Sequence, residues 1–167
     1  IFPFEAELYR RAGVPATYVG HPLAQAFPAT PDRAGARQRL GLDAQARVVA
    51  LLPGSRASEI RALAPLYART AARLLARHAD LHFLVPMVRP EQRALFETSA
   101  ARAGLAIDRL DFRPGQAHDI LQAADAALIA SGTATLEALL LDCPHVITYL
   151  VPRRSEERRV GKECIAV

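Results

Sequence analysis

Residues 47–56 read RVVALLPGSR, and the fold turns on them. Val48-Val49-Ala50-Leu51-Leu52 is a short β-branched and apolar run, the pattern of a strand buried on both faces. Pro53-Gly54-Ser55-Arg56 then breaks it as a turn. Working outward, 59–77 (EIRALAPLYARTAARLLAR) carries Ile60, Leu63, Leu66, Tyr67 and Leu74 at helical spacing, with Pro65 expected to kink the helix or delay its start. A strand follows over 81–85 (LHFLV), a helix over 90–103 and a shorter, poorer strand over 105–110. The pattern continues with a helix over 116–124, a strand over 126–130 (AALIA), a helix over 133–142 and a last strand over 145–150 (HVITYL). Strands separated by helices of about ten residues require parallel pairing through right-handed crossovers. The class is therefore α/β: a doubly wound, Rossmann-like parallel sheet with helices on both faces.

The two ends of the chain differ from this body. Residues 1–40 hold Pro3, Pro15, Pro22, Pro28 and Pro31 among short apolar pieces, which reads as a connecting segment with a helix near 32–40. The Rossmann-like domain is expected over 41–152. Beyond it, 153–167 opens with Arg153-Arg154-Ser155-Glu156-Glu157-Arg158-Arg159 and holds the only lysine, Lys162, against 20 arginines in the whole chain. That break in composition reads as a foreign or disordered tail. The chain begins at Ile1 with no signal-peptide pattern, and is expected to be a fragment of something longer.

Composition excludes several classes. Of 167 residues, 51% are hydrophobic and 23% charged, a globular balance. No apolar run approaches the length of a membrane-spanning helix. Two cysteines, Cys143 and Cys164, make neither a disulfide framework nor a four-thiolate zinc site. The net charge of +4 falls to +2 once the residues from Val151 onward are set aside, and no basic–aromatic interleaving points to nucleic acid.

In open parallel sheets ligands bind beyond the carboxyl ends of the strands. Two loops there have suitable chemistry. In Leu52-Pro53-Gly54-Ser55-Arg56, Gly54 permits close approach, Ser55 offers a hydroxyl and Arg56 can fork onto phosphate oxygens. It is not a Walker A loop, because no Gly-Lys-Ser/Thr follows. An ordinary strand–helix turn with an exposed arginine accounts for the same residues. In Ala130-Ser131-Gly132-Thr133, small residues precede a helix start, a combination suited to an anion. Glu137 lies one turn further on the face of Thr133, where it can accept hydrogen bonds from a ribose diol. A helix capped by Ser131 or Thr133, with Glu137 favouring the dipole, is the plainer alternative.

Other candidates say less. His21, in Gly20-His21-Pro22-Leu23, follows a strand-like piece and faces either an interdomain cleft or its own local structure. His78, His82, His118 and His145 lack ligand spacing with Asp, Glu or Cys, so no metal site is assigned. Cys143, between Asp142 and Pro144, reads as a packing residue.

Four stretches occur in order: Phe2-Pro3-Phe4-Glu5, then Tyr18-Val19-Gly20-His21-Pro22-Leu23, then Leu51–Arg56 with Glu59, then Ala130-Ser131-Gly132-Thr133-Ala134-Thr135-Leu136-Glu137. Over residues 1 to about 150 the set resembles the lipid-A-disaccharide synthases, inverting glycosyltransferases of lipid A assembly. The resemblance implies a GT-B architecture of two Rossmann-like halves, with this chain forming the connecting segment and most of the C-terminal, donor-nucleotide half. It implies transfer of 2,3-diacylglucosamine from its UDP conjugate to 2,3-diacylglucosamine 1-phosphate, giving the β-1,6-linked disaccharide and UDP without a cofactor.

By the same resemblance Gly54, Ser55, Arg56 and Glu59 belong to the UDP site, with Ser55 and Arg56 at the diphosphate and Arg56 the catalytic contact. Ser131, Gly132 and Thr133 hold phosphate, and Glu137 holds the ribose. The family's acceptor site and general base belong to an N-terminal domain not found in these residues, so the chain alone is expected to bind nucleotide weakly and not to turn over. A cytoplasmic enzyme touching the inner membrane face peripherally is implied. The competing readings are another GT-B enzyme on UDP-N-acetylglucosamine, either a peptidoglycan glycosyltransferase or a non-hydrolysing 2-epimerase, and a non-catalytic nucleotide-binding module.

Overall fold

The computed structural model describes residues 3–27, 30–87 and 89–150. Five strands form one sheet: β1 (Arg47–Leu52), β2 (Leu81–Val85), β3 (Leu110–Phe112), β4 (Ala126–Ala130) and β5 (His145–Thr148). Their order is β3-β2-β1-β4-β5, and every neighbouring pair is parallel. The chain lays β1, β2 and β3 outward in one direction. It then returns to place β4 on the free side of β1, and continues to β5. Strand order thus reverses between β1 and β4, and a crevice opens there at the carboxyl ends. Leu52 pairs with Ile129, so the two strands end almost level.

Alternation along the strands builds two cores. Leu51, Phe83 and Val85 pack under α4 (Ala57–Leu75) and α5 (Pro90–Arg102), against Ile60, Tyr67 and Phe96. On the other face Val48, Ala50 and Ile129 pack against α3 (Arg33–Arg39), α6 (Ala117–Ala123) and α7 (Thr133–Leu140). Phe83 and Phe96 are each at most 1% exposed. Burial of such a side chain is worth about 2–3 kcal/mol.

At the amino edge a buried arginine ties the layers together. Arg37 of α3 donates to the carbonyls of Ala123, Asp43, Ala44 and Ala46 at 2.8–3.2 Å, and to Asp125 at 3.1 Å. Asp125 in turn accepts the amide of Val48 at 2.8 Å and pairs with Arg33. One carboxylate therefore joins α3 to the starts of β1 and β4. Burial raises the Asp125 carboxyl, but the Val48 amide, Arg33 and Arg37 outweigh it and hold it below the usual value.

One expected boundary needs correction, and two other details go beyond the sequence reading. The short strand is Leu110–Phe112 rather than 105–110, because Ile107–Arg109 winds into a 3-10 turn. There Arg109 donates to the Ala79 carbonyl at 2.5 Å, and Ile107 stays 43% exposed. Pro65 does not delay α4, which starts at Ala57 and runs through it. The carbonyl that Pro65 leaves without a helical donor belongs to Arg61, an exposed residue that water can serve. The proline-rich first segment also holds two helices, α1 (Pro3–Arg11) and α2 (Pro22–Ala26). Each begins at a proline, a residue whose fixed φ and missing amide suit a helix start. The expected tail, 153–167, lies outside the described residues.

Candidate functional site

The loop after β1 is held from both sides. Gly54 has φ +107°, and a Cβ there would lie 2.5 Å from Glu59 Oε2, so this position requires glycine. Glu59, in the first turn of α4, reaches back over the loop. Its Oε2 accepts the amides of Ser55 at 3.0 Å and Arg56 at 3.2 Å, and its Oε1 takes Arg56 Nη1 at 2.8 Å. Burial pushes the Glu59 carboxyl up, but the Arg56 amide, the Arg56 guanidinium and the Ser55 amide together hold it below its ordinary value. From α5, Gln92 Nε2 donates to the Ser55 carbonyl at 2.6 Å, while its Oε1 accepts the Arg89 amide at 3.3 Å. Arg56 is 79% exposed, and a guanidinium has five donors, so most remain available to a ligand.

The loop after β4 is tied to the same strand ends. The Ser131 amide donates to the Thr148 carbonyl at 2.8 Å. Beneath it, Tyr67 Oη lies 2.6 Å from Thr148 Oγ1 and 3.4 Å from the Leu52 carbonyl, and Thr148 Oγ1 donates to the Ile129 carbonyl at 3.2 Å. This half-buried hydroxyl pair gathers the carboxyl ends of β1, β4 and β5. Burial raises the Tyr67 phenol to about 12, against the opposing effect of Thr148.

The N-cap of α7 is Gly132, not Ser131 or Thr133, and it offers no side-chain cap. The amides of Thr133 and Ala134, at the start of α7, have no intrahelical acceptor, whereas the Thr135 amide donates to the Gly132 carbonyl at 3.2 Å. Gly132 has ordinary extended backbone, and a Cβ there would meet nothing nearer than the Ala130 carbonyl at 3.9 Å. Nothing in the fold itself asks for glycine at 132.

Both loops line one cavity of about 370 Å³ at the switch point. Gly54, Ser55, Arg56 and Glu59 line it from one loop, and Ser131, Gly132 and Thr133 from the other; Pro86 and Ala117 also line it. Glu137 does not line this cavity. It sits one turn below Thr133, 19% exposed, with Oε2 3.4 Å from Nε2 of His118 on α6. His21 is the N-cap of α2, where its Nδ1 accepts the Leu23 amide at 3.1 Å, and it is not among the residues lining this cavity. Cys143 is 4% exposed and its thiol is pushed up to about 11 by burial, so at neutral pH it is not a nucleophile. Among the described residues no cluster of three or more His, Cys, Asp or Glu is placed to hold a metal, and no helix is long and apolar enough to cross a membrane.

Sequence reasoning missed Gln92, Tyr67, Thr148 and His118. Their contacts span 19 to 81 positions along the chain. The available signals were slight: a glutamine opening α5 where a turn away from β1 is expected, and a histidine directly before Asp119 in the first turn of α6.

Comparison with known proteins shows the family and the fold. Residues 1–153 match the family described as lipid-A-disaccharide synthetase. The chain is 58% identical over 151 residues to the lipid-A-disaccharide synthase of Azoarcus sp. (strain BH72), covering 89% of this chain and 38% of that protein. It is 52% identical over 157 residues to the enzyme of the same name from Bordetella parapertussis, covering 90% of this chain and 40% of that one. The chain thus spans about two fifths of the length of these relatives. Among solved structures, the C-terminal domain of a group 1 glycosyl transferase (LpcC) from Francisella tularensis superposes with a TM-score of 0.53 at 18% identity, over 74% of this chain and 68% of that domain. The S. aureus MnaA–UDP complex gives 0.50 at 18% identity, over 83% of this chain and 42% of that one. The common fold is one Rossmann-like half of a GT-B glycosyltransferase.

Proposed function

Because the chain belongs to the lipid-A-disaccharide synthetase family, we propose that it is the donor-nucleotide half of a UDP-sugar-dependent hexosyltransferase, with residues 41–152 as the nucleotide-binding domain and 1–40 as the connecting segment. The complete enzyme transfers 2,3-diacylglucosamine from its UDP conjugate to 2,3-diacylglucosamine 1-phosphate. The acceptor O6 attacks the anomeric carbon as the bond from that carbon to the diphosphate oxygen breaks. Inversion gives the β-1,6 link. The O6 proton passes to a base in the remainder of the enzyme, and UDP leaves carrying the bonding electrons.

The observation that carries this reading is the cavity between the two loops, with Arg56 on one wall and the first turn of α7 on the other. Negative charge grows on the departing diphosphate, and oriented donors in place before the reaction stabilise it without reorganising. Arg56 supplies the charge. Ser131, Gly132 and Thr133 supply a hydroxyl-lined helix start, and Gly132 keeps side-chain bulk away from the phosphate. Ser55 borders the diphosphate. Glu59 holds the loop in shape around Gly54. Glu137 takes the ribose diol, one turn deeper. Because both substrates are acylated, the enzyme works at the cytoplasmic face of the inner membrane, held there peripherally.

The test is to supply the full-length protein carrying this chain with the UDP-linked diacyl donor and the diacyl 1-phosphate acceptor. UDP release and a tetraacyl disaccharide are expected. Equal turnover with UDP-N-acetylglucosamine in place of the acylated donor would instead favour another GT-B reaction.

A further inference from the structure

We propose that His118 is a positioning residue for Glu137, and that the pair sets a preference for ribose over 2′-deoxyribose; this rests on the ribose reading of Glu137. The Glu137 carboxylate is four-fifths buried, and His118 Nε2, 3.4 Å from Oε2, is its one partner among the described residues. A carboxylate has about four acceptor positions, so one donor leaves most of its capacity open. Oε1 meets no protein donor among the described residues. Neither oxygen is sealed from the surface, so a ligand can reach them, and a vicinal diol brings two donors.

His118 is placed to decide how that carboxylate stands. It directly follows Ala117, which lines the cavity, while the imidazole itself is not part of that lining. Its ring does not depend on Glu137 for its orientation. Phe27, from the segment before the sheet, packs on it with ring centroids 4.6 Å apart and planes tilted by 56°. A ring packed in this way keeps Nε2 beside Oε2, a contact rather than a formed hydrogen bond, and favours the carboxylate rotamer in which the two stay together. Oε1 then stays free for the diol. Without His118 the glutamate side chain regains its rotamers, and the diol must order it on binding. That ordering weakens the ribose contact about fivefold. The phosphate contacts, made by the two loops, are untouched.

The test compares equilibrium binding of UDP and 2′-deoxy-UDP to the full-length protein carrying this chain, with thermal unfolding as a check on folding. His118 is 59% exposed, so its substitution is expected to leave the fold intact. Glu137→Ala should bring the ratio of the two affinities close to one. His118→Ala should lower the ratio about fivefold, and His118→Gln, which keeps an N–H donor, should restore most of it. Equal weakening of both ligands by His118→Ala, or an unchanged ratio, would overturn the proposal while leaving the role of Glu137 intact. A wild-type ratio retained in Glu137→Ala, or no preference in the unaltered protein, would overturn the ribose reading and the proposal with it.

Discussion

Gln92 Nε2 donates to the Ser55 carbonyl at 2.6 Å, so the loop after β1 is fixed from α5 as well as from its own helix. Gln92 is 9% exposed and bridges this carbonyl to the Arg89 amide. Replacing it with leucine keeps the volume but leaves a loop carbonyl without its donor. Gln92→Leu should lower stability by about 1–2 kcal/mol in urea unfolding, and should also weaken UDP, since the loop that carries Arg56 loosens. Unchanged affinity would show that α5 does not hold the loop in its binding shape.

The two loop glycines should behave in opposite ways. Gly54→Ala forces a side chain into a left-handed backbone and against Glu59, so it should reduce stability by about 1–3 kcal/mol. Gly132→Ala meets open space on extended backbone and should unfold like the parent protein, yet lose UDP affinity at least several-fold. Calorimetric titration and thermal unfolding of both variants distinguish a glycine kept for the fold from one kept for a ligand.

Acid should act through Asp125 and Glu59, whose carboxyls both lie below their ordinary values. A carboxyl lowered by folding gives its full stabilisation above its unfolded value and loses it as the pH falls through the lowered one. Stability should therefore hold down to about pH 5 and fall progressively below it, and Asp125→Asn should flatten that fall. Tyr67 runs the other way. With its phenol raised from 10.0 to about 12, its stabilisation is whole below pH 10 and is lost between about pH 10 and 12. Tyr67→Phe should remove that alkaline loss in denaturant unfolding followed across pH.

Arg37 gives the amino edge its hold. It is 6% exposed at the side chain and bonds to four carbonyls and Asp125. Arg37→Ala should cost about 3 kcal/mol and leave UDP binding in the surviving folded fraction unaltered, because the site stands at the opposite edge of the sheet. Matched urea unfolding and UDP titration check both halves of this statement.

How much of this was legible in the sequence follows from the range of each interaction. β1, β2 and β4 show themselves because a buried strand is a local run, and RVVALL, LHFLV and AALIA are such runs. The meeting of the two loops is legible one step later, because strand–helix alternation already implies a sheet edge that both must share. β3 misleads because Leu105 and Ile107 look like strand residues, whereas Leu105 is a plug after a helix end and Ile107 faces solvent. α1 and α2 were hidden because proline reads as a breaker along a sequence, although at a first helical position it favours a start. Gln92 with Ser55, and His118 with Glu137, were not legible. Each joins two elements whose approach is set by helix packing on the sheet, and no spacing in the sequence records it.

On the proposed function, Arg56 meets the diphosphate as UDP departs while Glu137 holds the ribose throughout. Steady-state kinetics of the full-length protein with varied UDP-linked donor tests it most directly. Arg56→Ala should lower kcat about a hundredfold or more, because a charge placed at a leaving group matters most in the transition state. Glu137→Ala should chiefly raise the donor KM, since a ribose contact is alike before and during reaction. An Arg56→Ala variant that changes only the donor KM, or a Glu137→Ala variant whose kcat collapses at unchanged KM, would contradict the account.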